Sequence, residues 1–538
     1  MHRCLLSACT VSLLLVLVGF PAVLASPRVP GTFPAQALDL VPVNVRVVDR
    51  AGKPATDLKQ SDFTIVENGV PQVIRHFTLE TLTPATAQPG ARPGVRKGIS
   101  VTPQGHRVFV FALGLGRLEG ASKTITELLR FVRTRLLPQD QVAIFAYGRA
   151  LPFTTDHQKV AEALERFKRV HEDIDYEVGL QLGPTGMASL YGTRAISRKL
   201  QTKIDEMLLG PGATAPVAPA AETLMPTAFD ELSLDDFMCA SARTFDDLAN
   251  LMALTEYLSR VEGEKHVLFV TEKGLQSPSD ANDQALASMA NDGRVSIYTL
   301  QAGGLLKAES TSGLNATHEQ ALSFKSLRAM ADLTGGLSAI TEPSQVVVDR
   351  LDEVTRTGYL LGYRSSNAAW DGTYRTITVR VARPDVTVLY RHGYRRDAQV
   401  GGFDRRGFVT NDRLSAAVRF RREVDDIKVK ASATRRGGGS LAVEGKITLS
   451  RVKLEAADGA RVGLLNIAIF CFDSGFNSTG AHVDTLQLKL TEEQFKQFQK
   501  SGLPFSIEFE AFRGTQNFRF IVYDYGSDLV GRVDITLF

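Results

Sequence analysis

The chain has 538 residues, 44% of them hydrophobic and 22% charged, with a formal net charge of +3. This composition excludes a disordered chain, and the length exceeds one ordinary core, so three or four domains are expected. Lysine and arginine are scattered rather than gathered into a stripe, which argues against nucleic acid as a partner.

The first 25 residues read as a secretory signal peptide. His2 and Arg3 precede the apolar run 11–20, and Val23-Leu24-Ala25 offers a cut before Ser26. No later stretch is long and apolar enough to span a bilayer, so no transmembrane segment is expected in the mature chain. The expected location is periplasmic or extracellular. Cys4 and Cys9 leave with the signal, and the distant Cys239 and Cys471 read as isolated buried thiols rather than a disulfide framework.

Residues 38–80 read as a small β segment. Val41, Val43, Val45 and Val47 alternate with other residues, and Glu67-Asn68-Gly69 is a hairpin turn. Residues 81–105, rich in Pro, Gly, Ala and Thr, read as a linker. From 106 onward strands alternate with helices. A strand at 108–113 precedes a helix at 122–136 with Ile125, Leu128, Leu129, Val132 and Leu136 on one face. A strand at 141–147 and a helix at 157–170 follow. A flexible insertion is expected near 174–230, where Ala, Pro, Gly and Thr dominate 210–226. The rhythm resumes with a helix at 244–261 and strands at 266–271, 295–300 and 358–363. Between these strands lie helices at 284–292, 324–334 and 346–356. Residues 106–365 therefore predict a doubly wound α/β domain. A β segment at 370–395 follows, then an all-β sandwich over 400–538 interrupted by one helix at 491–501. The segments 38–80 and 370–395 are each too short to fold alone. They are expected to pair as one β domain into which the α/β domain is inserted.

Several stretches in collinear order over 40–395 resemble one family. They are Val45-Arg46-Val47-Val48-Asp49-Arg50-Ala51-Gly52-Lys53-Pro54, Asp62-Phe63, Glu67-Asn68-Gly69, Val261-Glu262-Gly263-Glu264-Lys265, Val295-Ser296-Ile297-Tyr298, Leu333-Thr334-Gly335-Gly336, Tyr359-Leu360-Leu361-Gly362-Tyr363 and Arg391-His392-Gly393-Tyr394. The chain resembles the VWFA-related acidobacterial domain proteins, secreted chains carrying a Rossmann-like von Willebrand factor type A fold between β segments. The resemblance implies a divalent cation site at the carboxyl edge of the sheet, with an Asp-x-Ser-x-Ser motif after the first strand. Here Ala112, Leu113, Gly114, Leu115, Gly116 and Arg117 stand in that place, without one oxygen-bearing ligand side chain. The family's later acidic position falls at Thr271 and Glu272. One hydroxyl and one carboxylate do not satisfy a hard cation that needs six or more oxygens. The site therefore reads as degenerate, with no metal and no cofactor. Its glycine-rich edge, Gly114, Gly116 and Arg117 with Thr271 and Glu272, becomes the expected ligand-binding surface.

Other chemistry is poorly supported. Gly114, Gly116 and Gly120 are spaced GxGxxxG, not GxGxxG, and no acid ends the second strand for a ribose. There is no Gly-x-Ser-x-Gly elbow and no HExxH. Asp235-Asp236 and Asp246-Asp247 read as acidic helix starts. The sequence thus predicts an exported, non-enzymatic binding or adhesion-type protein with a protein or surface glycan as partner. Two alternatives stay open: an envelope assembly protein that self-associates, and a hydrolase with its site in the insertion or between domains.

Overall fold

The computed structural model describes residues 40–537 except 88–89, 91, 97–103, 116–120, 183–185, 214–232, 242–243, 273, 276–279, 302–312, 341–342, 397–404 and 511. The expected signal peptide, Gly116, Arg117 and most of the Ala/Pro-rich stretch lie outside the described residues.

Four strands open this part of the chain: β1 (Leu40–Asp49), β2 (Phe63–Glu67), β3 (Val70–Gln72) and β4 (Ile74–Thr81). The α/β unit begins with β5 (Val108–Leu113), α1 (Ala121–Thr134), β6 (Gln141–Ala146), β7 (Arg149–Thr154) and α2 (His157–Leu182). It continues through α3 (Ala188–Tyr191), α4 (Arg198–Leu209), α5 (Leu234–Ser241) and α6 (Asp247–Ser259). It closes with β8 (Lys265–Thr271), α7 (Asp280–Asp292), β9 (Val295–Gln301), α8 (Gly313–Thr334), β10 (Ser338–Ile340) and α9 (Ser344–Arg356).

One six-stranded sheet organises this unit, in the order β10-β9-β8-β5-β6-β7. Every neighbouring pair is parallel except β6–β7. Numbered within the unit and read from β7, the order is 3-2-1-4-5-6, that of a doubly wound sheet with an antiparallel edge strand. Helices cover both faces, so all six residues of β5 are buried. Phe109, Phe111 and Leu113 face α1, α2 and α9, while Val108, Val110 and Ala112 face the opposite helical layer.

Two parts of this unit differ from the sequence reading. The described residues 174–182 and 186–209 are not a flexible excursion. Helix α2 runs on to Leu182, and α4 follows, with Ile174, Val178, Leu200, Ile204, Met207 and Leu208 all buried. In the linker, Arg96 donates its backbone N–H to Arg260 O and Val95 bridges Val261, so this part lies against the end of α6.

The chain then forms β11 (Thr357–Arg364), β12 (Tyr374–Val381), β13 (Val386–Tyr390) and β14 (Gly393–Arg395). These join the opening strands in two four-stranded sheets, β13-β1-β11-β4 and β14-β12-β2-β3. β11, assigned from sequence to the 106–365 block, pairs antiparallel with β1 and β4 instead of extending the parallel sheet. Its alternate residues Tyr359, Leu361 and Tyr363 point into the core shared by the two sheets, with Val41, Val43, Val45 and Val47 opposite. At the centre of that core Glu67 accepts hydrogen bonds from Tyr363 Oη (2.6 Å), Tyr394 Oη (2.8 Å) and Ser365 Oγ (2.5 Å).

The remaining elements are α10 (Arg405–Arg419), β15 (Val424–Asp425), β16 (Val429–Arg435), β17 (Ser440–Ile447), β18 (Glu455–Ala457), β19 (Ala460–Phe472) and β20 (Ser478–Thr491). The last are α11 (Glu492–Ser501), β21 (Leu503–Glu510), β22 (Asn517–Asp524) and β23 (Leu529–Thr536). A larger sheet built on β23, β22 and β19 and a smaller sheet β16-β17-β21 enclose one core. The whole is a multidomain α/β plus β architecture. Helix α10 is an addition to the sequence reading. Its Phe408 touches both this core and the α/β core. Cys239 in α5 and Cys471 in β19 are both buried and form no disulfide, Cys471 within the sandwich core.

Candidate functional site

In a doubly wound sheet the crevice opens where the strand order reverses, outside the carboxyl ends of the strands. That point falls between β5 and β8, which run side by side with Leu113 opposite Val270. Two sequence-predicted positions, Gly114 and Thr271, therefore come together there. Gly114 N–H donates to Val270 O at 2.8 Å, adding one rung beyond the end of β5. A Cβ at Gly114 would lie 2.9 Å from Asp247 Oδ2 and 3.0 Å from Phe269 Cε2, so a larger residue there would push on both side chains.

Asp247, at the start of α6, is the residue that sequence reasoning missed. Its carboxylate accepts the Leu115 N–H, at 3.2 Å to Oδ2 and 3.4 Å to Oδ1. The preceding Asp246 caps α6 through Ala249 N–H (3.0 Å). The helix start thus holds the first-strand loop as well as its own first turn.

The other predicted residues are placed as follows. Ala112 and Leu113 are buried inside β5. Thr271 is fully buried, and its Oγ1 accepts from Gly274 N–H (3.1 Å) and donates to Gly274 O (3.3 Å). Glu272 is half-buried, and its backbone carbonyl accepts from Gln301 Nε2 (3.0 Å). The Thr271 hydroxyl is committed to its own turn rather than aimed at the crevice. Among the described residues, no group of three or more His, Cys, Asp or Glu side chains is arranged to hold a metal ion.

The adjoining wall is the turn Tyr147-Gly148, which joins β6 to β7. Both residues have positive φ, 51° and 75°, as a two-residue hairpin turn of the primed type requires. Burial pushes the Tyr147 hydroxyl well above its ordinary range, and the carboxylates of Asp175 and Asp247 add to the effect. Thr193, just after α3, closes over Gly148. Arg149 follows in β7, buried, with a fork onto Asp235 and a further contact to Asp205. The Asp235 read as a helix start is thus the anchor of β7, and it also accepts the Ala150 N–H at 2.8 Å.

A second concentration of titratable groups lies at the opposite end of the sheet. Arg46 of β1 makes a fork onto Glu264, 2.8 and 2.6 Å, beside a cleft of about 40 Å³ that His106, His266 and Glu80 also line. Burial alone would raise the Glu264 carboxyl, yet the Arg46 guanidinium holds it well below the usual range. Burial drives the His266 imidazole down to about 3, so it is neutral. Burial and the neighbouring Glu264 raise the Glu80 carboxyl, whose Oε1 is buried without a hydrogen-bond partner. The cleft has room for one or two waters but not for an organic substrate.

No family model matches this chain. No curated protein matches it either. Among solved structures, the pilus adhesin SpaC from Lactobacillus rhamnosus GG aligns at 6% identity with a TM-score of 0.21. The alignment covers 90% of this chain and 63% of the adhesin, so the chain spans less than two thirds of that neighbour's length. A likeness this low carries no argument about fold or function. No helix among the described residues is long and apolar enough to cross a membrane.

Proposed function

We propose that the chain is an exported, non-enzymatic binding protein whose type A-like α/β unit presents the switch-point edge to a protein or surface glycan without a bound cation. The observation that carries this reading is the meeting of Gly114, Leu115, Thr271 and Glu272 at the reversal of strand order, the position ligands occupy in such sheets. The donors there satisfy one another: the Asp247 carboxylate holds Leu115, and the Thr271 hydroxyl holds Gly274. What the edge offers a partner is backbone and the half-buried apolar side chain of Leu115. This chemistry suits recognition better than bond making.

Calorimetric titration with Mg²⁺ and Mn²⁺ tests the metal-free part. No saturable heat is expected. Saturable binding that disappears in Glu272→Ala would overturn it. Retention of a surface component by the immobilised chain, lost in Leu115→Arg and Glu272→Arg, tests the edge itself. Retention unchanged in both variants would move the binding surface elsewhere. A hydrolase reading gains some support from the convergence of Glu80, His106, Glu264 and His266, but Glu264 is bound by Arg46 and the cleft is too small for a substrate.

A further inference from the structure

The helices α1 and α2 lie side by side on one face of the parallel sheet, away from the loop edge, and leave between them an open groove of about 490 Å³. That volume falls within the roughly 300–1,000 Å³ of small-ligand clefts. Cations stand on both walls, Arg130 and Arg133 from α1 and Lys168 and Arg169 from α2, against one lining carboxylate, Glu165. The groove is held at a fixed width from its two sides. Arg133 pairs across it with Glu165, and Lys168 Nζ donates to Thr126 Oγ1 at 2.8 Å. Arg130 is held from behind by Glu127 (2.7 Å) and Asp349 (2.9 Å). Neither Lys168 nor Arg169 is paired with a carboxylate among the described residues, and both are exposed. The floor is the apolar side chain of Leu129.

We infer that this groove binds an acidic saccharide, one or two sugar rings carrying carboxylate groups. Arg130 and Arg133 are met by Glu127, Asp349 and Glu165, so Lys168 and Arg169 carry the positive charge that an anion complements. The guanidinium fork of Arg169 matches a carboxylate with two parallel hydrogen bonds. Both walls are helices whose backbone groups bond within the helix, so an acidic peptide would find no main-chain partners here. A saccharide needs only side-chain donors for its hydroxyls and carboxylates, and the exposed Lys168 and Arg169 supply them. No aromatic ring lines the groove to stack on a neutral sugar, so recognition depends on charge. The site is separate from the switch-point edge and stands or falls independently of it.

The test is calorimetry of the full chain with pentagalacturonate, with a neutral pentasaccharide and with pentaglutamate as comparators. Saturable binding of the galacturonate is expected, weakened about tenfold by the double variant Lys168→Glu/Arg169→Glu and several-fold by raising NaCl from low to about 0.2 M. The neutral sugar is expected to give no heat. The variant's melting temperature is measured alongside; if it falls, Arg169→Gln, a milder exposed change, replaces it with a smaller loss of the same sign expected. No galacturonate binding, binding indifferent to both variants, or equal affinity for pentaglutamate would each overturn the inference.

Discussion

Glu264 and Arg46 join two domains through side chains that are 12% and 7% exposed, and both are strongly desolvated. A buried pair of this kind is costly to break from one side, because the surviving charge stays desolvated without the partner that makes its two direct hydrogen bonds. Arg46→Ala is expected to lower stability by about 3–5 kcal/mol in denaturant unfolding. The double change Arg46→Met/Glu264→Leu should come close to neutral, and a loss as large as the single variant's would refute the account. The same pair sets a pH response. The Glu264 carboxyl is depressed in the folded protein, to about 2 from an ordinary 4.5. Its stabilisation is therefore fully present above 4.5 and is lost as pH falls toward 2. Denaturation midpoints between pH 5 and pH 2.5 should fall less steeply in the double variant than in the natural chain. The value of Glu264 was invisible in the sequence, where it reads as a turn residue before a strand. Its partner lies 218 residues away.

Among elements, the end of α8 explains why two glycines stop that helix. Gly335 has φ of +74°, and a Cβ there would meet the Tyr390 backbone at 2.6 Å. A Cβ on Gly336 would lie 2.0 Å from Ile297 O. The pair lets one helix end pass between β9 and β13, so it serves a three-way contact as well as a stop signal. Gly336→Ala should cost about 1–3 kcal/mol or more, measured by urea unfolding, since neither neighbour is a movable side chain. Much of the α/β unit was legible element by element. β5 and the centre of β8 are continuous apolar runs, β9 mixes Ser296, Thr299 and Gln301 among apolar residues, and α9 shows a helical stripe. Three departures have physical causes. The stripe of α2 continues beyond Val170 through His171, Ile174 and Val178, but His171, stacked on Phe167, counts as polar in a hydrophobic pattern. β7 contains Arg149 and Pro152, which argue against a strand until the buried carboxylates of Asp205 and Asp235 and the edge position are known. At the candidate site the glycine and the threonine could be read from strand ends. Asp247 could not, because its contact with Leu115 crosses 132 residues.

At the scale of the whole molecule, the C-terminal sandwich is tied to the α/β unit through α3 and α10. Tyr191 Oη accepts from Val530 N–H (2.9 Å) and donates to Asp426 Oδ2 (2.7 Å), while Arg194 and Arg413 converge on Asp528 and Arg419 reaches Asp246. Tyr191→Phe leaves two polar groups without that partner and should speed hydrogen exchange at the Val530 amide, at a cost of about 1–3 kcal/mol. Asp412 is buried in the same joint. Burial pushes its carboxyl up to about 6; Arg413 opposes the shift, Asp246 adds to it, Arg419 opposes it and Asp528 adds to it. A raised carboxyl favours folding in its protonated form, so this contribution is complete below 3.8 and is lost as pH rises through about 6. Unfolding curves at pH 5 and pH 7.5 should differ less in Asp412→Asn than in the natural chain. An unchanged difference would exclude Asp412 as its source.

The excursion 82–356 leaves the antiparallel sheet after Thr81 and returns at Thr357, and these two residues are paired neighbours on β4 and β11. Tension applied between Leu40 and the C-terminal strands would enter along β1 and pass sideways through its ladders to β11 and β13. The backbone of the α/β unit therefore lies beside this line of force and is loaded through side-chain contacts, those of α3 and α10 among them. In a pulling experiment the antiparallel ladders should yield before the parallel sheet, whose loop edge keeps its geometry until they do.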